Sequence, residues 1–405
     1  MVKLFAEKAA YWMLVASVIS LVMPTAINSL CLILFVVFWI LSGNFSRKWA
    51  RLRVNPAALS FLALFALYGL GMLYSTVPWQ ESLAFWVKYN KLLFIPIIVS
   101  LLDDTLWRRR AADAFLWGML LVLAISYLKW MGWVPHADNG QGYIVFKNRI
   151  AHNIFMAFTF YLLLVRAYCD VPRRWLWTGM ALLAALNLLF LVNGRTGQLL
   201  LPVMLILFVV QHLDWRGGMK TLAGVAALST ALVFFIGTDH LQQMRMFKVQ
   251  QEIELQSHDP SQETYSGLRF KFYKHTLAIA AERPWFGWGT GSFKTVYAEH
   301  EQRNAFASAT SNPHNEYLLI VQQLGLFGLG VLMLTGWLTW RAANKLTAVE
   351  AGRLRALVLL IGIGALFNSL LLDSAEGKFY CLMVGIYLSG WAAPGEPRED
   401  AHAAN

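Results

Sequence analysis

Apolar and polar positions alternate along this chain on a long period, in runs of ten to twenty-five hydrophobic residues separated by short polar or basic breaks. A helix that crosses a bilayer needs roughly 17 to 25 mostly apolar residues. On that measure the pattern predicts twelve spans: Tyr11–Met23, Ile27–Leu41, Ala57–Tyr74, Leu92–Leu102 (lengthened upstream by Leu83–Val87), Ala114–Trp133, Ile154–Tyr168, Trp175–Val192, Gln198–Leu213, Leu222–Gly237, Tyr317–Trp340, Ala356–Leu372 and Phe379–Trp391. The expected class is an all-α polytopic integral membrane protein. Residues 1–237 would hold nine spans, 238–313 one large polar loop with short helices, 314–392 three further spans and 393–405 a tail.

Composition agrees with this reading. Hydrophobic residues make up 58% of the 405 and charged residues only 14%, against about 25% in a typical soluble domain. The net charge of +11 is explained by basic loops facing anionic lipid, with no need of a nucleic-acid partner. Arg47, Lys48, Arg51, Arg53, Arg108–Arg110, Arg166, Arg173, Arg174, Arg216, Lys220, Arg341, Lys345, Arg353 and Arg355 fall in one set of connections. The other short connections hold only Lys88, Lys91, Lys147, Arg149, Arg195 and Lys378. The positive-inside rule therefore puts both termini in the cytoplasm and residues 238–313 outside it. The first apolar run leads straight into a second, so no cleavable signal peptide is expected. Three cysteines, two of them inside apolar runs, give no disulfide framework.

The large loop is where chemistry is expected, because long ordered loops are usually functional. It holds a helical segment at Ser266–Ala281 and a glycine-rich turn at Gly287–Gly291. That turn lacks the Gly-Lys-Ser/Thr ending and the preceding strand of a phosphate-binding loop, so it reads as a backbone device holding the loop against the membrane. Arg195 sits in Gly194-Arg195-Thr196-Gly197 between two apolar runs. A snorkelling arginine is one reading; bracketing glycines, which let a ligand approach, favour a phosphate clamp. Arg269 and Tyr273 share one face of the loop helix, where an interfacial anchoring role is equally open. His314 opens the apolar run Tyr317–Trp340 and is either an interfacial side chain, a partner of Glu316, or a general base. Arg149, Lys88, Lys91 and Tyr273 are candidates for binding a diphosphate or a phosphorylated core, or else interfacial anchors. No histidine spacing suggests a metal site, so no metal and no cofactor are expected.

Five motifs follow one another between Asn193 and Gly330. They are the Gly-Arg-Thr-Gly turn, the loop arginine, Glu282–Phe293, the stretch from His314 to Leu318, and Gly325-Leu326-Phe327-Gly328-Leu329. In this order they resemble the bacterial O-antigen ligase and O-antigen polymerase superfamily. The resemblance implies a GT-C-like glycosyltransferase of the bacterial inner membrane working at the periplasmic face. Its donor is a glycan on undecaprenyl diphosphate, its acceptor for a ligase the lipid A-core of lipopolysaccharide, and its reaction a metal-independent inverting transfer. By position, Arg195 matches the arginine of the short turn, Arg269 the loop arginine and His314 the essential histidine. A polymerase and a protein O-oligosaccharyltransferase are the near alternatives. A transporter is the distant one, disfavoured because the charges lie at span ends.

Overall fold

The computed structural model describes residues 2–136, 140–192, 194–214, 216–217, 219–220, 265–304 and 310–391. The expected span Leu222–Gly237 and much of the loop 238–313 lie outside them. The described residues fold into fifteen α-helices: α1 Val2–Ile19, α2 Thr25–Leu41, α3 Phe45–Arg53, α4 Pro56–Leu70, α5 Trp79–Val87, α6 Phe94–Leu101, α7 Thr105–Trp130, α8 Arg149–Cys169, α9 Arg174–Leu186, α10 Arg195–His212, α11 Tyr265–Glu282, α12 Phe293–Asn304, α13 Glu316–Ala342, α14 Ala348–Gly364 and α15 Ser374–Leu388. Among the described residues the only β pairing is an isolated bridge between Gly142 and Val192, and all three cysteines are free.

Among the described residues six helices are long and apolar enough to cross a membrane, beginning at Val2, Thr105, Arg149, Val171, Arg195 and Glu316. Two bent pairs, α2 with α3 (109°) and α5 with the stretch Asn90–Leu101 (44°), raise the number to eight. Three other expected spans fall on α4, α14 and α15, of 15, 17 and 15 residues, which is short for a straight crossing. The protein is thus a polytopic helical membrane protein.

Side chains mark where several of the helices begin. Asp104, Asn148, Asn315 and Thr347 accept hydrogen bonds from backbone N–H groups at the starts of α7, α8, α13 and α14. The core is centred on α8, the most enclosed of the six long spans. Phe379 of α15 packs against Phe155 and Phe115 at ring-centroid distances of 4.7 and 4.9 Å, drawing α7, α8 and α15 together.

The connections sort into two ends. At one, arginines meet carboxylates and carbonyls: Arg47 and Arg51 pair with Asp103, Arg108 with Glu350 and Arg166 with Asp113. The buried Arg51 also donates to the Leu102 carbonyl at 3.2 Å. This is the basic end expected from the sequence. The opposite end gathers the turns after α4, before α8, before α10 and before α13.

At that opposite end the glycine-rich turn fits into a break in α13. Gly325 has φ +65 and ψ −166, so the helical ladder fails there. Leu326 and Phe327 N–H donate instead to the carbonyls of Pro284 and Trp285, at 2.7 and 3.2 Å. In return Trp288 and Gly289 N–H donate to the carbonyls of Gln322 and Gln323, at 3.0 and 2.8 Å. The turn therefore restores, across two segments, the backbone pairs the break removes. Gly289 has φ +91, and a Cβ there would lie 2.2 Å from the Ser75 Cα.

Gly289→Ala is expected to destabilise the protein by about 1–3 kcal/mol, through forced φ and backbone collision. Gly330→Ala, on the same α13 with open space at its Cβ, should leave stability unchanged or slightly raised. Thermal unfolding of the two variants in detergent makes the comparison.

Candidate active site

The site forms where α8, α10 and α13 begin. Arg149 is the first residue of α8, Arg195 the first of α10, and His314 lies two residues before α13. A cation in the first turn of a helix opposes the helix dipole, at a cost of about 0.3–1 kcal/mol. Neither position is therefore favoured by the dipole of its own helix.

The short turn holding Arg195 is set by its glycines. A Cβ on Gly194 would lie 1.9 Å from the Asn153 side-chain nitrogen, and one on Gly197 would lie 2.3 Å from its oxygen. Asn153 is fully buried in α8 and donates to the Arg149 carbonyl at 2.7 Å. Only glycine lets the Arg195 turn sit this close to the start of α8. Beneath it, His152 Nε2 lies 2.9 Å from Asn187 Oδ1 and Asn187 donates to Ser126 at 2.8 Å, so His152 serves this buried network.

Arg269 comes from α11 of the large loop. Its guanidinium donates to Asn368 Oδ1 at 3.3 Å, and Asn368 Nδ2 donates to Thr196 Oγ1, also at 3.3 Å. Burial, and after it the charges of Arg195 and Arg149, press the Arg269 pKa below its usual value. The three guanidinium groups thus share one neighbourhood, and among the described residues Arg269 has no carboxylate in an ion pair. The Tyr273 hydroxyl donates to the Leu366 carbonyl at 2.8 Å, with the His314 carbonyl 3.2 Å away. Burial raises its pKa, with Arg269 acting in the opposite sense.

His314 is half-buried and has φ +55, a left-handed conformation uncommon outside glycine. Asn312 Oδ1 accepts from the His314 N–H at 2.8 Å and from Ser369 Oγ at 2.6 Å, holding the strained turn. Burial first, then the Arg269 charge, lower the His314 pKa below 6.5. The shift favours the neutral imidazole, the form able to accept a proton.

Glu316 does not pair with His314. It is buried at the start of α13, accepting from the Tyr89 hydroxyl at 2.9 Å and from Leu371 and Leu372 N–H at 2.9 and 3.3 Å. Lys91 approaches the same segment, donating to the carbonyls of Leu372 and Asp373 at 2.8 and 2.7 Å. Its ammonium is engaged in this hinge between α14 and α15. Lys88 caps α5, exposed, with its ammonium 5.8 Å from the Phe85 ring centre. The structure therefore gathers Arg149, Arg195, Arg269, Tyr273 and His314, while Lys88 and Lys91 take other positions. Asn312, Asn315, Asn368, Thr196 and Asn153 belong to the site's framework; Thr196 and Asn315 lie within two of the five sequence motifs, while Asn153, Asn312 and Asn368 had no signal beyond being polar residues in or beside apolar runs. Among the described residues no group of three or more His, Cys, Asp or Glu is placed to hold a metal ion.

Residues 180–333 match a protein-family model described as O-antigen ligase. The match includes Arg195, Arg269 and His314 and stops short of Arg149 and Asn368. No curated protein matches the chain.

Gly194→Ala should lower stability by about 1–3 kcal/mol, and adding Asn153→Ala should recover part of that loss, since the clash is with the Asn153 amide. A double-mutant cycle on thermal unfolding should give a coupling of about 1 kcal/mol or more; additive losses would mean that Asn153 does not set this turn.

Proposed function

We propose that this member of the O-antigen ligase superfamily transfers O-antigen polysaccharide from undecaprenyl diphosphate to lipid A-core oligosaccharide. The reading places the reaction at the periplasmic face of the inner membrane, with both termini in the cytoplasm. The observation that carries it is the meeting of Arg149, Arg195 and Arg269 beside a histidine whose pKa lies below its usual value. Burial and the charges of Arg195 and Arg149 bear on the Arg269 guanidinium, and a phosphate beside it would meet that positive charge. Arginine's planar fork suits phosphate oxygens better than a lysine would.

The acceptor hydroxyl oxygen bonds to the anomeric carbon of the donor sugar as the bond from that carbon to the diphosphate oxygen breaks. His314 takes the hydroxyl proton, and undecaprenyl diphosphate leaves with the electron pair. Arg195 and Arg269 bind the diphosphate and stabilise its growing charge, with Arg149 supporting them. Attack opposite the leaving group inverts the anomeric centre in one displacement, and no metal ion takes part. Tyr273 orders the backbone around His314, and Lys88 is left to meet the phosphorylated core at the rim. The polymerase reading keeps the same donor and the same arginine roles and changes only the acceptor.

The test uses purified protein in detergent, undecaprenyl-diphosphate-linked glycan, lipid A-core and excess EDTA. Core glycosylation by the wild type, with about a hundredfold or greater loss in His314→Ala and in Arg269→Ala, supports a metal-independent ligase. Arg269→Lys should recover little, because a point charge does not reproduce the fork. Longer polyprenyl-linked glycan with no core modification would move the assignment to a polymerase. Activity lost to EDTA and restored by magnesium would overturn the metal-free step.

The direction of the His314 shift fixes a pH dependence. Its neutral form is the active one, so the rate should fall as pH drops through a pKa lying below the ordinary 6.5. The profile of kcat/KM against pH should place that acidic limb below 6.5. A limb above it would count against His314 as the base.

A further inference from the structure

The hinge between α14 and α15 supplies two adjacent side chains to opposite halves of the site. Asn368, 1% exposed, accepts from Arg269 and donates to Thr196, the residue after Arg195. Ser369, equally buried, donates to Asn312, which holds the His314 backbone. The hinge is itself fixed from below. Glu316 accepts from Leu371 and Leu372, Lys91 donates to Leu372 and Asp373, and Asn315 and Tyr273 donate to Leu366. A two-residue turn so held is a gauge: it sets where Arg269 stands relative to the Arg195 turn, and where both stand relative to the base.

The chemistry of Asn368 is selective. Guanidinium has donors only, so the atom facing Arg269 must be an acceptor, and a hydroxyl at Thr196 can take the donor on the other side. An aspartate would satisfy Arg269 more strongly than an amide. It would also place a fixed negative charge where an anionic substrate must bind and would remove the donor to Thr196. At the basic end Arg108 and Arg166 have carboxylate partners; here the partner is neutral. We infer that Asn368 is a positioning residue that orients Arg269 toward an incoming phosphate group while leaving its charge available, and that with Ser369 it fixes the spacing between the anion-binding arginines and His314. This rests on the transferase reading of the same site.

The test binds inorganic pyrophosphate to the full-length protein in detergent by calorimetry, then measures donor kinetics on the same preparations. Asn368→Asp, close to isosteric, is expected to weaken pyrophosphate binding at least tenfold while thermal unfolding stays near the wild type. Asn368→Ser, keeping a small neutral acceptor, should retain binding within about threefold. In transfer assays Asn368→Asp should raise the donor KM more than it lowers kcat, whereas Ser369→Ala should lower kcat and leave pyrophosphate binding unchanged. Equal binding by Asn368→Asp and wild type would overturn the inference even if Arg269→Ala abolishes binding and the transferase reading stands. A wild type that transfers glycan yet binds no pyrophosphate would also overturn it. A wild type that binds pyrophosphate, weakened by Asn368→Asp, but transfers no glycan would retain the positioning role and remove the transferase reading.

Discussion

A backbone N–H or C=O in apolar surroundings has no water to fall back on, and each interruption of a helix must be answered by another part of the chain. The architecture follows from how two such interruptions are answered. At Gly325 the answer comes from the loop, whose Pro284–Gly289 segment exchanges four hydrogen bonds with the broken ladder of α13. Between α14 and α15 it comes from side chains, with the Glu316 carboxylate taking two N–H groups and Lys91 two carbonyls. The candidate site lies between these two repairs, where α8, α10 and α13 all begin.

The two ends of the molecule treat their arginines differently. At the basic end Arg47, Arg108 and Arg166 have carboxylate partners, and their charges are largely spent on structure. At the other end Arg269 meets a neutral amide, and its neighbours Arg149 and Arg195 repel it. That repulsion works together with burial to press the Arg269 pKa down, whereas the arginines of the basic end have a carboxylate beside them. The backbone at His314 is strained, and strain concentrates where geometry serves chemistry.

Much of this was legible in the sequence for physical reasons. The apolar runs located the long helices, six to eight of which, among the described residues, are long and apolar enough to cross where twelve spans were expected; the loop helix expected at Ser266–Ala281 is found at Tyr265–Glu282. Arg195 stood out as a charge in a minimal turn between apolar runs and His314 as an imidazole at the mouth of one, whereas Arg269 was marked by its place in the ordered series of motifs. Asn368 and Ser369 did not, because they fall inside Ala356–Leu372, which reads as one continuous span. The helix in fact ends at Gly364, and the hinge that follows is nearly as apolar as a membrane helix, so composition cannot separate the two. The break at Gly325 was hidden likewise, one glycine among several in an apolar run. The roles of Lys91 and Glu316 depend on partners hundreds of residues away, such as Tyr89 for Glu316, and no local pattern encodes them.

The clasp at Gly325 has a mechanical side. A loop attached only at its ends can swing as a lid, but this one is stitched to the middle of a membrane helix by four backbone bonds. Releasing them in a dry setting leaves four donors and four acceptors together, at about 1–3 kcal/mol for each group left without a partner. The turn at Gly287–Gly291 and the adjoining half of α13 therefore travel as one rigid body. Any opening that admits a bulky substrate has to hinge somewhere else along the chain.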